Sequence, residues 1–404
     1  MKRITVYEHT RLTLAHEFMN QHILDALLKF NEFHGSQYFD GIARGIKLNQ
    51  FVGIIQVNDV TIEILPKIDS NYNEDKWRNV LIQMLKSTGK LNFQSAGEAQ
   101  VQRQNLNLLE IYFELYLNEL NQLIHEGLIK KYRKQAGNVK AIKGKIDFGS
   151  NIRKNLIHKE RIFTVHQIYD TDHTIHQILN VALDIVLQFS GGSILNDLAR
   201  RVKMNFPEVS SVKVTENILK KIAPERKADK YHKALEIAKI IILNHSPDIK
   251  AGNFKMLAIL FDMNELWEEY IFSMLRKSSN LLNYKIKGQE SKPFWGIYRS
   301  IRPDIVLEKD GKIIIIDTKW KRPLNNNPSI EDLRQMYTYG RFWQSEKVIL
   351  LYPGDKSNTS YLPYRNIHFD NINHQCKILF INVLDNENKL NNNIAFDIYN
   401  QMLS

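Results

Sequence analysis

Asp304, Asp317 and Lys319 are the residues of this sequence whose types and spacing could do chemistry. They flank Asp310-Gly311, a strong signal for a tight hairpin turn. The strands on either side are Arg302-Pro303-Asp304-Ile305-Val306-Leu307-Glu308-Lys309 and Lys312-Ile313-Ile314-Ile315-Ile316-Asp317-Thr318-Lys319. A two-residue loop sets Lys309 across from Lys312, Asp304 across from Asp317, and Arg302 across from Lys319. The period of two then turns all four charged side chains to one face. Opposed residues have Cβ atoms about 4.5–5.5 Å apart, so two carboxylates there repel unless a cation lies between them. Mg²⁺ answers that need, because it takes one or two carboxylates and completes its shell with phosphate and water. Lys319 would project beside such a metal, where it could hold or deprotonate a water and offset charge developing on an attacked phosphate. The chemistry implied is metal-dependent hydrolysis of a phosphodiester. The bland alternative is a hairpin whose charges face water, with Arg302 and Lys319 neutralising the two aspartates.

Two helices must hold this hairpin. Upstream, Phe261-Asp262-Met263-Asn264 leads into a stripe of Leu266, Trp267, Tyr270, Ile271 and Met274, with Glu268 at its edge as a further candidate ligand. Glu265 and Glu269 are rivals to Glu268. Downstream, Asp332 to Tyr339 reads as a helix that puts Gln335 and Tyr339 on one face at i, i+4. A strand follows at Lys347 to Tyr352. The apolar run Ile313 to Ile316 marks a strand buried on both faces, a rigid seat for Asp317 and Lys319.

The remainder of the chain divides by character. The first 70 residues read as β-rich, with strands Phe51–Val57 and Val60–Leu65 around an Asn58-Asp59 turn. Trp77, Val80, Leu81, Met84 and Leu85 form a helical stripe, and a longer helix is predicted from about Asn107 to Tyr132. The basic, glycine-punctuated stretch Lys140 to Lys145 reads as a connection between domains. Helices dominate from Thr174 to about His245. From about Ala251 a helix opens a region of alternating strands and helices. Asn325-Asn326-Asn327 and Asn391-Asn392-Asn393 read as loops. The fold class expected is α+β and multidomain: a β-rich and helical domain over 1–140, a helical middle over 141–250, and an α/β domain with a mixed sheet over 251–404.

Bulk properties narrow the partners. The 404 residues carry 55 Lys+Arg against 44 Asp+Glu, a net charge of +11 that suits a polyanion. One cysteine, Cys376, excludes an internal disulfide and a cysteine-based zinc site. No apolar run reaches the roughly 20 residues of a membrane helix, and the N-terminus lacks a signal-peptide pattern, so a soluble, cytoplasmic protein with no membrane contact is expected. Ser87-Thr88-Gly89-Lys90 lacks the glycine spacing and the Ser/Thr of a phosphate loop. The cluster Asp170, Asp172, His173 and His176 is better read as a helix start capped by Asp172 or Thr171 than as a metal site.

Pro303-Asp304, then Asp317-Thr318-Lys319, then a helix with Gln335 resemble the PD-(D/E)XK nuclease superfamily. More narrowly, the chain resembles the McrC family of modification-dependent restriction systems. That resemblance rests on Val52-Gly53-Ile54-Ile55-Gln56-Val57 through Glu63-Ile64-Leu65-Pro66-Lys67-Ile68, on Gly144-Lys145-Ile146-Asp147-Phe148, and on Phe261-Asp262-Met263-Asn264 with Trp267-Glu268. It implies an endonuclease subunit that cuts double-stranded DNA bearing 5-methylcytosine, in complex with an McrB-like AAA+ GTPase hexamer. The N-terminal region would enter that ring and stimulate GTP hydrolysis, GTP being bound by the partner and not by this chain. Asp304, Asp317 and, less directly, Glu268 would hold Mg²⁺, while Lys319 would serve the attacking water and Gln335 would complete the catalytic set.

Overall fold

The computed structural model describes residues 2–67, 74–91, 106–220, 226–247, 255–296, 298–323, 327–355, 358–365 and 373–403. It is a mixed α+β chain with several sheets, and it groups into two compact units. One unit comprises residues 101–259 with the turn at 56–59; the other comprises 2–55, 60–100 and 260–404. This differs from the three consecutive segments expected. Residues 2–55 and 60–100 belong with the C-terminal region, where the Trp320 indole N–H donates to the buried Glu8 carboxylate.

In the first of these units, a capping box of Asn107 and Glu110 starts a helix at Leu108–Glu126. That helix was predicted to run to Tyr132, but it stops at Gly127 (φ 87), and Tyr132 lies in a strand, Lys131–Val139. This strand pairs antiparallel with Ile162–Asp170, which also pairs with Lys145–Ile146. The stretch Lys140 to Lys145 is therefore internal to a three-stranded sheet, not an interdomain connection. Gly144 (φ 68) lies so close to Val165 and His166 that a Cβ there would clash with backbone. The expected helix after Thr174 is present as Thr174–Phe189, yet neither Asp172 nor Thr171 caps it. Asp172 instead accepts from the backbone N–H and hydroxyl of Ser210, and Asp170 pairs with Arg133. The helical stretch continues to Leu243.

In the second unit, strand β1 (Lys2–Tyr7) pairs parallel with β3 (Val60–Leu65), which neighbours β2 (Phe51–Val57). Asn58 takes the left-handed conformation (φ 52) that the predicted turn requires. Between β1 and β2 lie a small sheet and a helix at Gln21–Phe33, capped by Asn20, in a region read as β-rich. Helix α1 (Glu74–Ser87) buries the predicted stripe from Trp77 to Leu85, and the rejected phosphate loop is its C-terminal end. The C-terminal part opens with a strand at Lys255–Asp262, not a helix. Helix α2 (Met263–Leu282) follows, capped by Asp262 through the N–H groups of Asn264 and Glu265.

A six-stranded mixed sheet carries the hairpin. Its strands are β4 (Lys285–Gly288), β7 (Ile305–Lys309), β8 (Lys312–Thr318), β9 (Lys347–Pro353), β10 (Leu362–Pro363) and β11 (Gln375–Ile381); β5 (Lys292–Trp295) and β6 (Arg299–Ile301) form a separate pair. The order across the sheet is β4-β7-β8-β9-β11-β10, with β8, β9 and β11 parallel. Helix α3 (Ile330–Trp343) covers one face, where Met336, Tyr339 and Trp343 pack with Val306, Ile315, Val348 and Leu350. Helix α4 (Ile394–Leu403) ends the chain, and Asn391 before it is a hydrogen-bonded turn residue. Asn325 and Asn326 lie outside the described residues. No helix among the described residues is long and apolar enough to cross a membrane.

Candidate active site at the end of the central hairpin

The hairpin register is the expected one. Lys309 faces Lys312 and Ile305 faces Ile316, with Asp310 (φ 50) and Gly311 (φ 76) both left-handed in the turn. The ladder ends at Ile305, however, and does not include the expected pairs Asp304/Asp317 and Arg302/Lys319. Pro303 has no N–H to continue the ladder. Beyond it the chain turns to other partners: the N–H of Gln289 donates to the carbonyl of Asp304, and the hydroxyl of Tyr339 donates to the carbonyl of Arg302. On the opposite strand, the N–H of Lys319 donates to the carbonyl of Leu351.

The charged groups still converge. Asp317 is 1% exposed, and the Lys319 ammonium lies 2.7 Å from its Oδ2. That oxygen has ion-pair contact but no well-directed hydrogen bond. Asp304 Oδ2 accepts from both the N–H (2.7 Å) and the hydroxyl (2.9 Å) of Thr318. Burial and then repulsion from Asp304 push the Asp317 carboxyl up to about 7, while burial raises Asp304 against the opposing pull of Thr318, Lys319 and Arg302. For Lys319 burial opposes the charge, but Asp317, Asp304 and Asp332 outweigh it and hold the ammonium above its ordinary pKa. Its Nζ also donates to Gln335 Oε1 (3.3 Å), and Gln335 Nε2 donates to the Tyr339 hydroxyl (2.8 Å). Gln335 and Tyr339 thus meet on the face predicted for them, as a brace for Lys319.

Of the three glutamates on α2, Glu269 is paired with Lys90 at 2.8 Å and Glu265 is exposed. Glu268 accepts from Gln289 Nε2 (2.8 Å), and its carboxyl is raised by burial and then by Asp304. The structure thus puts Glu268 in electrostatic reach of Asp304. We expect Glu268→Ala to lower the metal-dependent phosphodiester hydrolysis expected of this site at least tenfold and Glu269→Ala to change it less than twofold, measured side by side on one substrate. Equal losses would remove Glu268 from the site.

A divalent cation fits this donor set. A buried carboxylate, Asp317, and a half-buried one, Asp304, both raised by desolvation and the first also by its neighbour, leave an Asp317 oxygen without a directed hydrogen bond. Among the described residues, no three Asp, Glu, His or Cys side chains stand close enough together to hold a metal alone. The pair Asp304 and Asp317 therefore matches an ion that keeps positions for phosphate and water. The cluster of Asp170, Asp172, His173 and His176 is a hydrogen-bonded network in which the His176 imidazole, with its pKa lowered to about 4 by burial and then by His173, contacts Thr171 and Tyr231.

Sequence reading missed Thr318 and Gln289. Alternation along β8 sends Thr318 to the face opposite Asp317, and only the break at Pro303 lets Asp304 reach it. Its hydroxyl between two charged residues was the available signal. Gln289 had none, because its role depends on the loop after β4.

Comparison with known proteins agrees with this architecture. The profile of a family described as McrBC 5-methylcytosine restriction system component matches residues 46–353. The type IV methyl-directed restriction enzyme EcoKMcrBC of Escherichia coli K12 is 21% identical over 230 residues, spanning 54% of this chain and 66%, just under two thirds, of its own length. Among solved structures, a half-complex from a tetradecameric assembly of Thermococcus gammatolerans McrB AAA+ hexamers with bound McrC aligns with a TM-score of 0.72 at 20% identity, over 99% of this chain and 100% of that one. The Thermococcus gammatolerans McrBC complex solved by cryo-EM gives 0.52 at 20% identity, over 69% and 88%. At such identities the structural likeness concerns the fold. With the family profile matching well over half of its length, this chain belongs to the McrBC 5-methylcytosine restriction system component family.

Proposed function

We propose that this chain is the McrC-like endonuclease subunit of a modification-dependent restriction complex, with a PD-(D/E)XK domain that hydrolyses DNA phosphodiesters. The observation that carries the reading is the convergence of Asp304, Asp317 and Lys319 at the end of the central hairpin. Asp304 and Asp317 would hold Mg²⁺, while Glu268 bears on Asp304 from α2 without completing a three-carboxylate cluster. When bound, the ion would supply Lewis-acid polarisation of the phosphate and favour ionisation of an attacking water. The chain's own residues do the positioning. Thr318 fixes one Asp304 oxygen and leaves the other for a ligand. Lys319, held as an ammonium by Asp317 and steadied by Gln335, donates to the water or to a non-bridging phosphate oxygen as negative charge builds there. In this state it acts as a donor and charge stabiliser, not as a proton acceptor.

The partner in this reading is an McrB-like AAA+ GTPase hexamer, and the substrate is double-stranded DNA carrying 5-methylcytosine. Support comes from the family match and from the fold shared with McrC bound to McrB hexamers. The test is to incubate the chain, with the GTPase that co-purifies with it, on methylated and unmethylated plasmid with Mg²⁺, with and without GTP. Cutting of methylated DNA alone, dependent on GTP and lost in Asp317→Ala, is expected. Nucleotide-independent cutting would identify a stand-alone nuclease instead. Full partner GTPase stimulation without any cutting would make the chain an adaptor.

A further inference from the structure

The segment that leads into Asp304 carries large aromatic side chains with no core to fill. Strands β5 and β6 form an isolated two-stranded hairpin, with a register shift between Pro293 and Trp295 that leaves Trp295 opposite Arg299. Trp295 is 74% exposed and Tyr298 is 93% exposed. A lone two-stranded hairpin is marginal in water and needs outside support. Here the support is at its base. Phe294 packs on Phe342 of α3 with ring centroids 5.5 Å apart, and Lys292 donates to the Phe342 carbonyl (2.9 Å) while lying 4.5 Å from the Trp343 ring. The Trp343 indole N–H in turn donates to Glu290 (2.7 Å). The base is anchored, and the aromatic tip is held out in solvent.

Charge selects the ligand. Between residues 285 and 302 there are five basic side chains, Lys285, Lys287, Lys292, Arg299 and Arg302, against the single acid Glu290. Glu290 is already neutralised by Lys287 at 2.7 Å and Lys285 lies 3.8 Å from Glu308 of β7, so the surplus rests on Lys292, Arg299 and Arg302. A partner with apolar chemistry alone would not call for this surplus, whereas a polyanion with stacked π-faces matches both features. Continuity with the site places the ligand: Arg299 is five residues from Asp304, within about 18 Å along even a fully extended chain.

We propose that this hairpin is a DNA-binding element of the nuclease site, in which Trp295 and Tyr298 wedge against a partly unstacked base step beside the cut and Arg299 and Arg302 hold the flanking phosphates. The proposal rests on the nuclease reading above, and its test separates the two. The full chain is titrated into a fluorescently labelled DNA duplex with Ca²⁺ in place of Mg²⁺, and binding is read by anisotropy. Trp295→Ala/Tyr298→Ala is expected to weaken affinity about tenfold or more. Under Mg²⁺ and GTP its KM for DNA should rise far more than its kcat falls. Arg299→Ala should lower the slope of log affinity against log salt by about one. Both positions are exposed, so thermal midpoints should match wild type. As a direct probe, quenching of tryptophan fluorescence by the duplex should shrink in Trp295→Phe.

Unchanged duplex affinity in the double variant, or a wild-type chain that does not bind the duplex at all, overturns the proposal. If the wild type cuts DNA and only Asp317→Ala abolishes cutting, the hairpin idea fails and the nuclease reading stands. If no form cuts DNA but the hairpin variant loses duplex binding, the hairpin stands and the nuclease reading fails. Loss of assembly with the GTPase at unchanged duplex affinity assigns the tip to a protein partner and also overturns it.

Discussion

Asp317→Ala should abolish DNA cleavage, by about 10³-fold or more, without lowering the protein's thermal midpoint. The two halves of this expectation have one cause. Asp317 is 1% exposed, its carboxyl is pushed up to about 7 by burial and then by Asp304, and its Oδ2 has no directed hydrogen bond. A group so placed opposes folding, which is the cost a cation ligand in the proposed site would carry. Deleting Asp317 relieves repulsion within the site while removing the proposed Mg²⁺ ligand, whose charge stabilisation would amount to several kcal/mol of barrier, at about 1.4 kcal/mol per factor of ten in rate. The loss of Asp317 leaves Lys319 with Asp304 and Asp332 as acidic neighbours, so the ammonium should stay charged. A second readout is independent of cleavage: Mg²⁺ should raise the thermal midpoint of the wild type, because it binds the native state, and should leave that of Asp317→Ala unmoved. A variant that cuts DNA normally, or one that melts well below wild type while keeping its Mg²⁺ response, would exclude this role.

The parts of the site that were legible in sequence are those governed by local rules. Asp310-Gly311 fixes the hairpin register, because both residues adopt positive φ there. The period-two pattern and the run Ile313 to Ile316 identify the buried central strand that seats Asp317. Gln335 and Tyr339 follow from helical spacing. What stayed hidden depends on breaks in regularity or on distant contacts. The ladder was extrapolated past Pro303, where the chain leaves it, so Asp304 was set against Asp317 when its carboxylate is in fact bound by Thr318. The helix at Gln21–Phe33 was readable from Asn20 and the stripe Ile23, Leu24, Leu27 and Phe30, but neighbouring strands dominated the reading. The grouping of residues 2–55 and 60–100 with 260–404 has no local signature at all. It is made by contacts distant in sequence: α1 packs along α2, Gln50 Nε2 donates to the capping carboxylate of Asp262 (3.1 Å) and Lys90 pairs with Glu269 (2.8 Å).

A further contact of this kind ties the end of β1 to the residue after Lys319, and it makes stability depend on pH. Glu8 is 1% exposed, and its Oε1 accepts from the Trp320 indole N–H (2.7 Å) and from the Lys67 backbone N–H (2.8 Å). Burial raises its pKa from 4.5 to about 7, against the two hydrogen bonds and with added repulsion from Asp262. A carboxyl raised in the folded state binds its proton more tightly there than in the unfolded chain. Its stabilising contribution is therefore fully present below pH 4.5 and is lost as pH rises through about 7, a change on the order of 3 kcal/mol. Glu8→Gln keeps an acceptor for Trp320 and cannot ionise. It should flatten the decline in thermal midpoint between pH 5 and 8 and exceed wild type at pH 8. Glu8→Ala should be less stable than Glu8→Gln throughout, because two buried donors lose their acceptor at about 1–3 kcal/mol each. Parallel pH curves for wild type and Glu8→Gln would show that Glu8 stays ionised in the fold. Because Trp320 follows Lys319 directly, the alanine variant should also lower cleavage, and Glu8→Gln should restore it. A fall in stability without that recovery would confine Glu8 to packing.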